Sequence, residues 1–142
     1  MSGIIVVGVD GSGTAKKAAE SARDLAAAVG ASLHVVSAFD SDRTEIFGSG
    51  SDQWIVSDAD GAQHVAKTVA ESLAGSIKVT YSAARGKPAE ALIKESERLG
   101  ATMIVVGNRR MRGIGRVLGS VANSVAHNAT CDVYIANTYD AD

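Results

Sequence analysis

The chain has 142 residues, 46% apolar and 21% charged, with a formal net charge of −2, 4% aromatics and one cysteine. That length predicts a single domain able to bury a proper core, and the mild acidity excludes a general nucleic-acid binder, which needs a basic face. Cys131 alone excludes an internal disulfide and suits a reducing compartment, and no stretch is long enough to span a bilayer, so the expectation is a cytoplasmic protein with no membrane partner.

The N-terminus enters an apolar run directly, without the basic n-region of a secretory signal. Residues 4–9 are nearly continuously apolar, as expected of a strand buried on both faces of a parallel sheet. Asp10-Gly-Ser-Gly-Thr14 follows as a turn. Ala15, Ala18, Ala19, Ala22, Leu25, Ala26 and Val29 then recur at helical spacing, with Gly30 suited to the position after the last turn. Residues 32–39 read as a second strand. From 40 to about 58 there is no periodicity, and this stretch is expected to be a long variable loop inside one domain spanning 1–142. A second helix carries Ala62, Val65, Ala66, Val69, Ala70, Leu73 and Ala74, and Gly75 closes it.

Residues 77–83 alternate apolar Ile77, Val79 and Tyr81 with polar Lys78, Thr80 and Ser82, the pattern of a strand with one wet face at a sheet edge. Gly86-Lys-Pro88 starts a third helix, proline being suited to its first turn, with Ala89, Leu92, Ile93 and Leu99 on the inner face and Gly100 at its end. A fourth strand ends at Gly107, Ser120 opens a fourth helix, and a last strand covers about 132–137. Val133 and Ile135 are assigned to the core there, and the strand's free edge suits a second copy. A helix between each strand and the next predicts a five-stranded parallel α/β sheet by the right-handed crossover rule.

The chemistry concentrates between 102 and 128. Gly113, Gly115 and Gly119 strip side chains from the loop after Gly107, and Arg109, Arg110, Arg112 and Arg116 make it basic. Without those four arginines the formal charge of −2 would be −6, so the loop is a basic island on an acidic protein. Backbone N–H groups at a helix start, approached through glycines, form an anion site, and a phosphate-bearing ligand is expected. Ligands of open parallel sheets bind beyond the carboxyl ends of strands where strand order reverses. If the first and fourth strands are neighbours, Asp10 shares that crevice, accepting from ribose hydroxyls, helping to hold a metal ion, or only stabilising its own turn.

Other readings fail. Gly8 to Thr14 lacks the lysine of a Walker A loop, and the spacing of Gly113, Gly115 and Gly119 is one residue too long for G-x-G-x-x-G. His34, His64 and His127 are scattered, without cysteine ligand spacing, so they are read as structural or solvated and no metal site is assigned. Cys131 is read as a small buried hydrophobe. No acid/base pair stands out near Ser120, so no catalytic residue is assigned.

The chain resembles the universal stress protein family over essentially its whole length. The resemblance rests on Val-Gly-Val-Asp10-Gly-Ser, Gly86-Lys-Pro88, Val-Val-Gly107-Asn-Arg through Leu118-Gly119-Ser120-Val121, and Ala129-Thr-Cys-Asp132-Val. It implies an open sheet in the order 3-2-1-4-5 with helices on both faces, like the adenine nucleotide alpha hydrolases, and homodimers through the last strand. It further implies a stress-response regulatory module that binds an adenine nucleotide, ATP first, with or without Mg²⁺. Asp10, Gly11 and the backbone near Ala38 would serve ribose and adenine, while Gly107, Arg109, Arg110, Gly119, Ser120 and Val121 would serve ribose and phosphates. The signature of nucleotide-binding members is Gly, two residues, Gly, nine residues, then Gly-Ser or Gly-Thr. This chain has Arg110 at the second glycine and eight residues from there to Gly119. An interaction protein that binds no nucleotide and a slow ATP hydrolase therefore stand as alternatives.

Overall fold

Ile4–Gly8 forms β1 because its side chains have apolar partners on both sides: Ile5 and Val7 face one layer of helices and Val6 faces the other, all at most 2% exposed. In the computed structural model, residues 3–40, 44–47, 54–108 and 118–138 are described. Along the chain, β1 is followed by α1 (Gly13–Val29), β2 (Ser32–Phe39), β3 (Thr44–Phe47), β4 (Trp54–Ser57) and α2 (Asp58–Leu73). Then come β5 (Val79–Arg85), α3 (Pro88–Leu99), β6 (Met103–Gly107), α4 (Ser120–Asn128) and β7 (Asp132–Ala136).

The main sheet has the order β5-β2-β1-β6-β7 with every pairing parallel. Counting only its own strands, this is the 3-2-1-4-5 order, and the alternating strand beginning near Ile77 does lie at an edge. One face packs on α1 and α2 through alanines (Ala18, Ala22, Ala26, Ala66, Ala70), whose small side chains let the helices lie close to Val7, Leu33 and Val105. The other face packs Leu92 of α3 and Ala122 and Val125 of α4 on Val6, Val36, Ile104 and Val106.

Local chemistry sets the helix ends. Ser12 caps α1, its hydroxyl accepting from the Ala15 N–H at 3.2 Å, and Gly30 closes it in the left-handed region at φ 74°. Pro88 occupies the first turn of α3 and Gly100 ends it at φ 65°. Among the described residues no helix is long and apolar enough to cross a membrane.

The structure differs from the sequence reading in three places. Within the aperiodic stretch, β3 and β4 pair antiparallel, Thr44 opposite Ser57 and Phe47 opposite Trp54. Runs of four residues are too short to show an alternation. Ile135 is not in the core: it is 39% exposed, beside Tyr134 at 45%, because β7 has a neighbouring strand on one side only. Val29 is 47% exposed, being the last residue of its helix and beyond the reach of the sheet.

Candidate functional site

The chain turns from β1 toward β2 on one side of the sheet and later enters β6 on the other, so the carboxyl ends of β1 and β6 diverge and leave a crevice. Its volume is about 260 Å³, close to the lower end of the ~300–1,000 Å³ typical of small-molecule sites. Gly8 forms part of the floor, where a β-carbon would stand 3.0 Å from the Leu92 side chain, so glycine lets α3 approach β1. Val36 and Ala38 of β2, with Pro88 and Leu92 of α3, make one apolar wall, and Thr14, Ala15 and Ala18 at the start of α1 lie opposite.

Two main-chain features converge here. Asp10 stands after β1, and its Oδ1 accepts from the Ser12 N–H at 2.9 Å, so the carboxylate does hold its own turn. Gly11 passes through that turn at φ 87°, a left-handed conformation that favours glycine; it is not among the residues lining the crevice. Opposite, α4 begins with Gly119 as its N-cap, which has no side chain to offer as a cap, and Gly119, Ser120, Val121 and Ala122 all line the crevice. The first three N–H groups of a helix have no intrahelical acceptor, and with the helix dipole they favour an anion. Among the described lining residues, Asp10 is the one charged side chain.

Asp10, Ala38, Gly107, Gly119, Ser120 and Val121 thus come together at one crevice. Arg109, Arg110, Arg112, Gly113, Gly115 and Arg116 lie outside the described residues. Sequence reasoning missed Leu92 and Thr138 as lining residues. Leu92 reaches the crevice only because α3 packs over Gly8, and Thr138 only because β7 lies beside β6. Register supplied a usable signal for Val36 alone, which pairs with Gly8.

A second polar cluster lies deeper on the α3 face. His34 is buried, with Nδ1 2.6 Å from the Thr80 hydroxyl and Nε2 2.8 Å from the Ser82 hydroxyl. Ser82 donates to Glu95 Oε2, and Arg98 donates to both oxygens of Glu95 at 2.7 and 3.0 Å. The Arg98 hydrogen bond, aided by Ser82 against the cost of burial, holds the Glu95 carboxyl down to about 2. Burial keeps His34 below its ordinary 6.5 despite Glu95, so its 3.8 Å approach to that carboxylate is not an ion pair at neutral pH. Ser82 gives its proton to a carboxylate that is a very weak base, so the group is no nucleophilic triad. His34 is therefore held inside the fold by the hydroxyls of the neighbouring edge strand. Cys131 is half-buried against the core, and burial together with Asp132 pushes its thiol up, away from reactive thiolate. Among the described residues no group of three or more His, Cys, Asp or Glu side chains could hold a metal ion.

A profile of the universal stress protein family matches residues 1–137. A universal stress protein of Synechocystis is 30% identical over 89 residues, covering 62% of this chain and 82% of that protein. One from Mycobacterium tuberculosis is 31% identical over 138 residues, covering 97% of this chain but 50% of that protein, so the chain spans half the length of that relative. Among solved structures, a universal stress protein in complex with cAMP is similar at a TM-score of 0.71 and 28% identity, over 96% of this chain and 98% of that one.

Proposed function

The chain belongs to the universal stress protein family, and from that premise we propose that its crevice binds an adenine nucleotide, ATP first, in a regulatory rather than a catalytic role. The observation that carries this reading is the start of α4: a glycine N-cap and three following residues open onto the same crevice as Asp10. The similar protein in complex with cAMP supports the ligand class.

In this reading the base lies against Val36, Ala38 and Leu92, with the Ala38 backbone serving adenine. Asp10 accepts from ribose hydroxyls. Gly107 lies beside the ribose, and the N–H groups at Gly119, Ser120 and Val121 donate to phosphate oxygens. Arg109 and Arg110 supply positive charge to those phosphates. A single carboxylate beside phosphates is a common Mg²⁺ environment, and Asp10 fits it. Two copies pair through the edge of β7, covering Tyr134 and Ile135.

A second reading, an interaction protein of the same fold without a nucleotide, is favoured by one observation: Arg110 stands where the family signature has glycine. Native mass spectrometry with calorimetry separates the two. The first reading expects a dimer carrying or taking up ATP, AMP or cAMP. A protein-only mass with no heat from any of the three leaves the second. Arg110→Gly then assigns the arginine: tighter ATP binding marks it as an obstruction, weaker binding as a ligand.

A further inference from the structure

Asn108 directly follows β6, and its side chain, only 7% exposed, points across the sheet to the chain beyond β7. Its Oδ1 accepts from the Thr138 backbone N–H at 2.7 Å and from the Thr138 hydroxyl at 3.2 Å, while Nδ2 donates to Asn137 Oδ1 at 3.2 Å. The amide orientation follows from the chemistry, since a backbone N–H only donates and must face the oxygen. Pairing of β6 with β7 ends at Gly107 and Ala136, so the amide of Asn108 stands in for the next rung of the ladder.

The result is a fully buried Thr138 wedged into the crevice wall. Its methyl carbon would stand 3.1 Å, and its hydroxyl oxygen 3.3 Å, from a β-carbon at residue 107; the next neighbour, Ala18 Cβ, is at 3.8 Å. Contacts at 3.1 to 3.3 Å are tight enough that a neighbour must move, whereas 3.8 Å is ordinary van der Waals contact. The residue that an alanine at 107 would displace is therefore Thr138. Gly107 carries no positive φ, so no backbone conformation asks for glycine there.

We infer that Asn108 and Thr138 are a positioning pair for the crevice, and that residue 107 must be glycine because Thr138 is held against it, not because a ligand needs the space. The inference rests on the nucleotide reading for its functional consequence but not for the packing contact itself. Thr138→Ser removes the methyl, the closer contact at 3.1 Å, while keeping the hydroxyl at 3.3 Å and both hydrogen bonds to Asn108, so it should relieve the tighter part of the crowding around a β-carbon at 107.

The test is a double-mutant cycle with Gly107→Ala, Thr138→Ser and both together, reading ATP and cAMP affinity by calorimetry and the melting temperature without nucleotide. Gly107→Ala should weaken binding about tenfold with Thr138 present, and less than about threefold when added to Thr138→Ser. The nucleotide-free melting temperature should fall and recover in the same pattern. If Gly107→Ala is as damaging in the Thr138→Ser background as beside the native threonine, the inference is overturned and the glycine returns to the ligand. It is equally overturned if Gly107→Ala binds and melts as the native chain does. If the native protein takes up no nucleotide, the functional proposal fails, and the melting temperatures still decide whether Thr138 dictates the glycine.

Discussion

His34 and Val36 stand two residues apart on the same face of β2, yet the polar groups around them are arranged in opposite ways. Around His34 the polar atoms answer one another: Thr80 and Ser82 meet the imidazole, Ser82 meets Glu95, and Glu95 meets Arg98. Beside Val36, the crevice is lined by glycines, alanines and the start of α4, with Asp10 as the charged side chain among the described residues. Polar atoms that satisfy each other inside a protein secure one arrangement of its parts. The N–H groups of a helix start have no intrahelical acceptor and suit an anion. Both clusters use the same strand, so the contrast comes from what packs over it: Glu95 and Arg98, toward the C-terminal end of α3, in one case, and Pro88 and Leu92, toward its N-terminal end, in the other.

Substitutions should respect that division. Gly119→Val, with a branched side chain where α4 meets the crevice, should cut adenine nucleotide affinity by a factor of about 100, or ~2.7 kcal/mol, with little change in melting temperature. Undiminished affinity in calorimetry would move the ligand away from α4. Glu95→Leu should do the reverse, costing about 2 kcal/mol of unfolding free energy by taking from the Ser82 hydroxyl and the Arg98 guanidinium the acceptor they share, with affinity unchanged. Urea titration measures the first and calorimetry the second; a parallel loss of affinity would show the two clusters are coupled.

Acid offers a gentler probe of the same contrast. Both Glu95 and His34 bind a proton less readily in the folded chain than in the unfolded one. The unfolded chain therefore takes up protons first, and stability falls as pH falls. The His34 contribution is complete above its ordinary 6.5 and begins to be lost below it. The Glu95 contribution is lost below its ordinary 4.5, down to about 2. Melting temperatures between pH 8 and pH 3 should show both, with His34→Gln flattening the upper part of the curve and Glu95→Gln the lower. A flat profile in the native protein would disprove the arrangement. The smallest change expected is for Arg98→Ala, since that side chain is 60% exposed and screened by water; its melting temperature should stay well above that of Glu95→Leu.

What the sequence disclosed depended on how far apart the interacting parts lie. Strands buried on both faces announce themselves as apolar runs, and glycines or a proline mark the ends of α1 and α3, because these preferences are settled within one turn. The Asp10 turn and the start of α4 were legible for the same reason. The strand order was not local information; it followed from the resemblance to known proteins. The hydrogen bonds of His34 were invisible, since its partners Thr80 and Ser82 lie 46 and 48 residues away and look in sequence like the wet face of an edge strand. Glu95 hides equally well among the charged residues of α3, although the fold buries it. Thr138 escaped because only the pairing of β6 with β7 carries it to Gly107. Ile135 and Val29 were misplaced for a complementary reason: an apolar residue is buried only if something covers it, and that depends on elements elsewhere.

Thr138 lies later in the chain than any other described residue lining the crevice. During synthesis the chain emerges from its N-terminus at about 5–20 residues per second, so β1, α1, β2 and α3 are all available before this wall exists. The crevice is complete only when β7 has docked and Asn108 has taken hold of the chain beyond it. A ligand that needs the whole crevice can stabilise only molecules that have reached that point, by mass action on the finished form. Occupancy would then report the completion of folding.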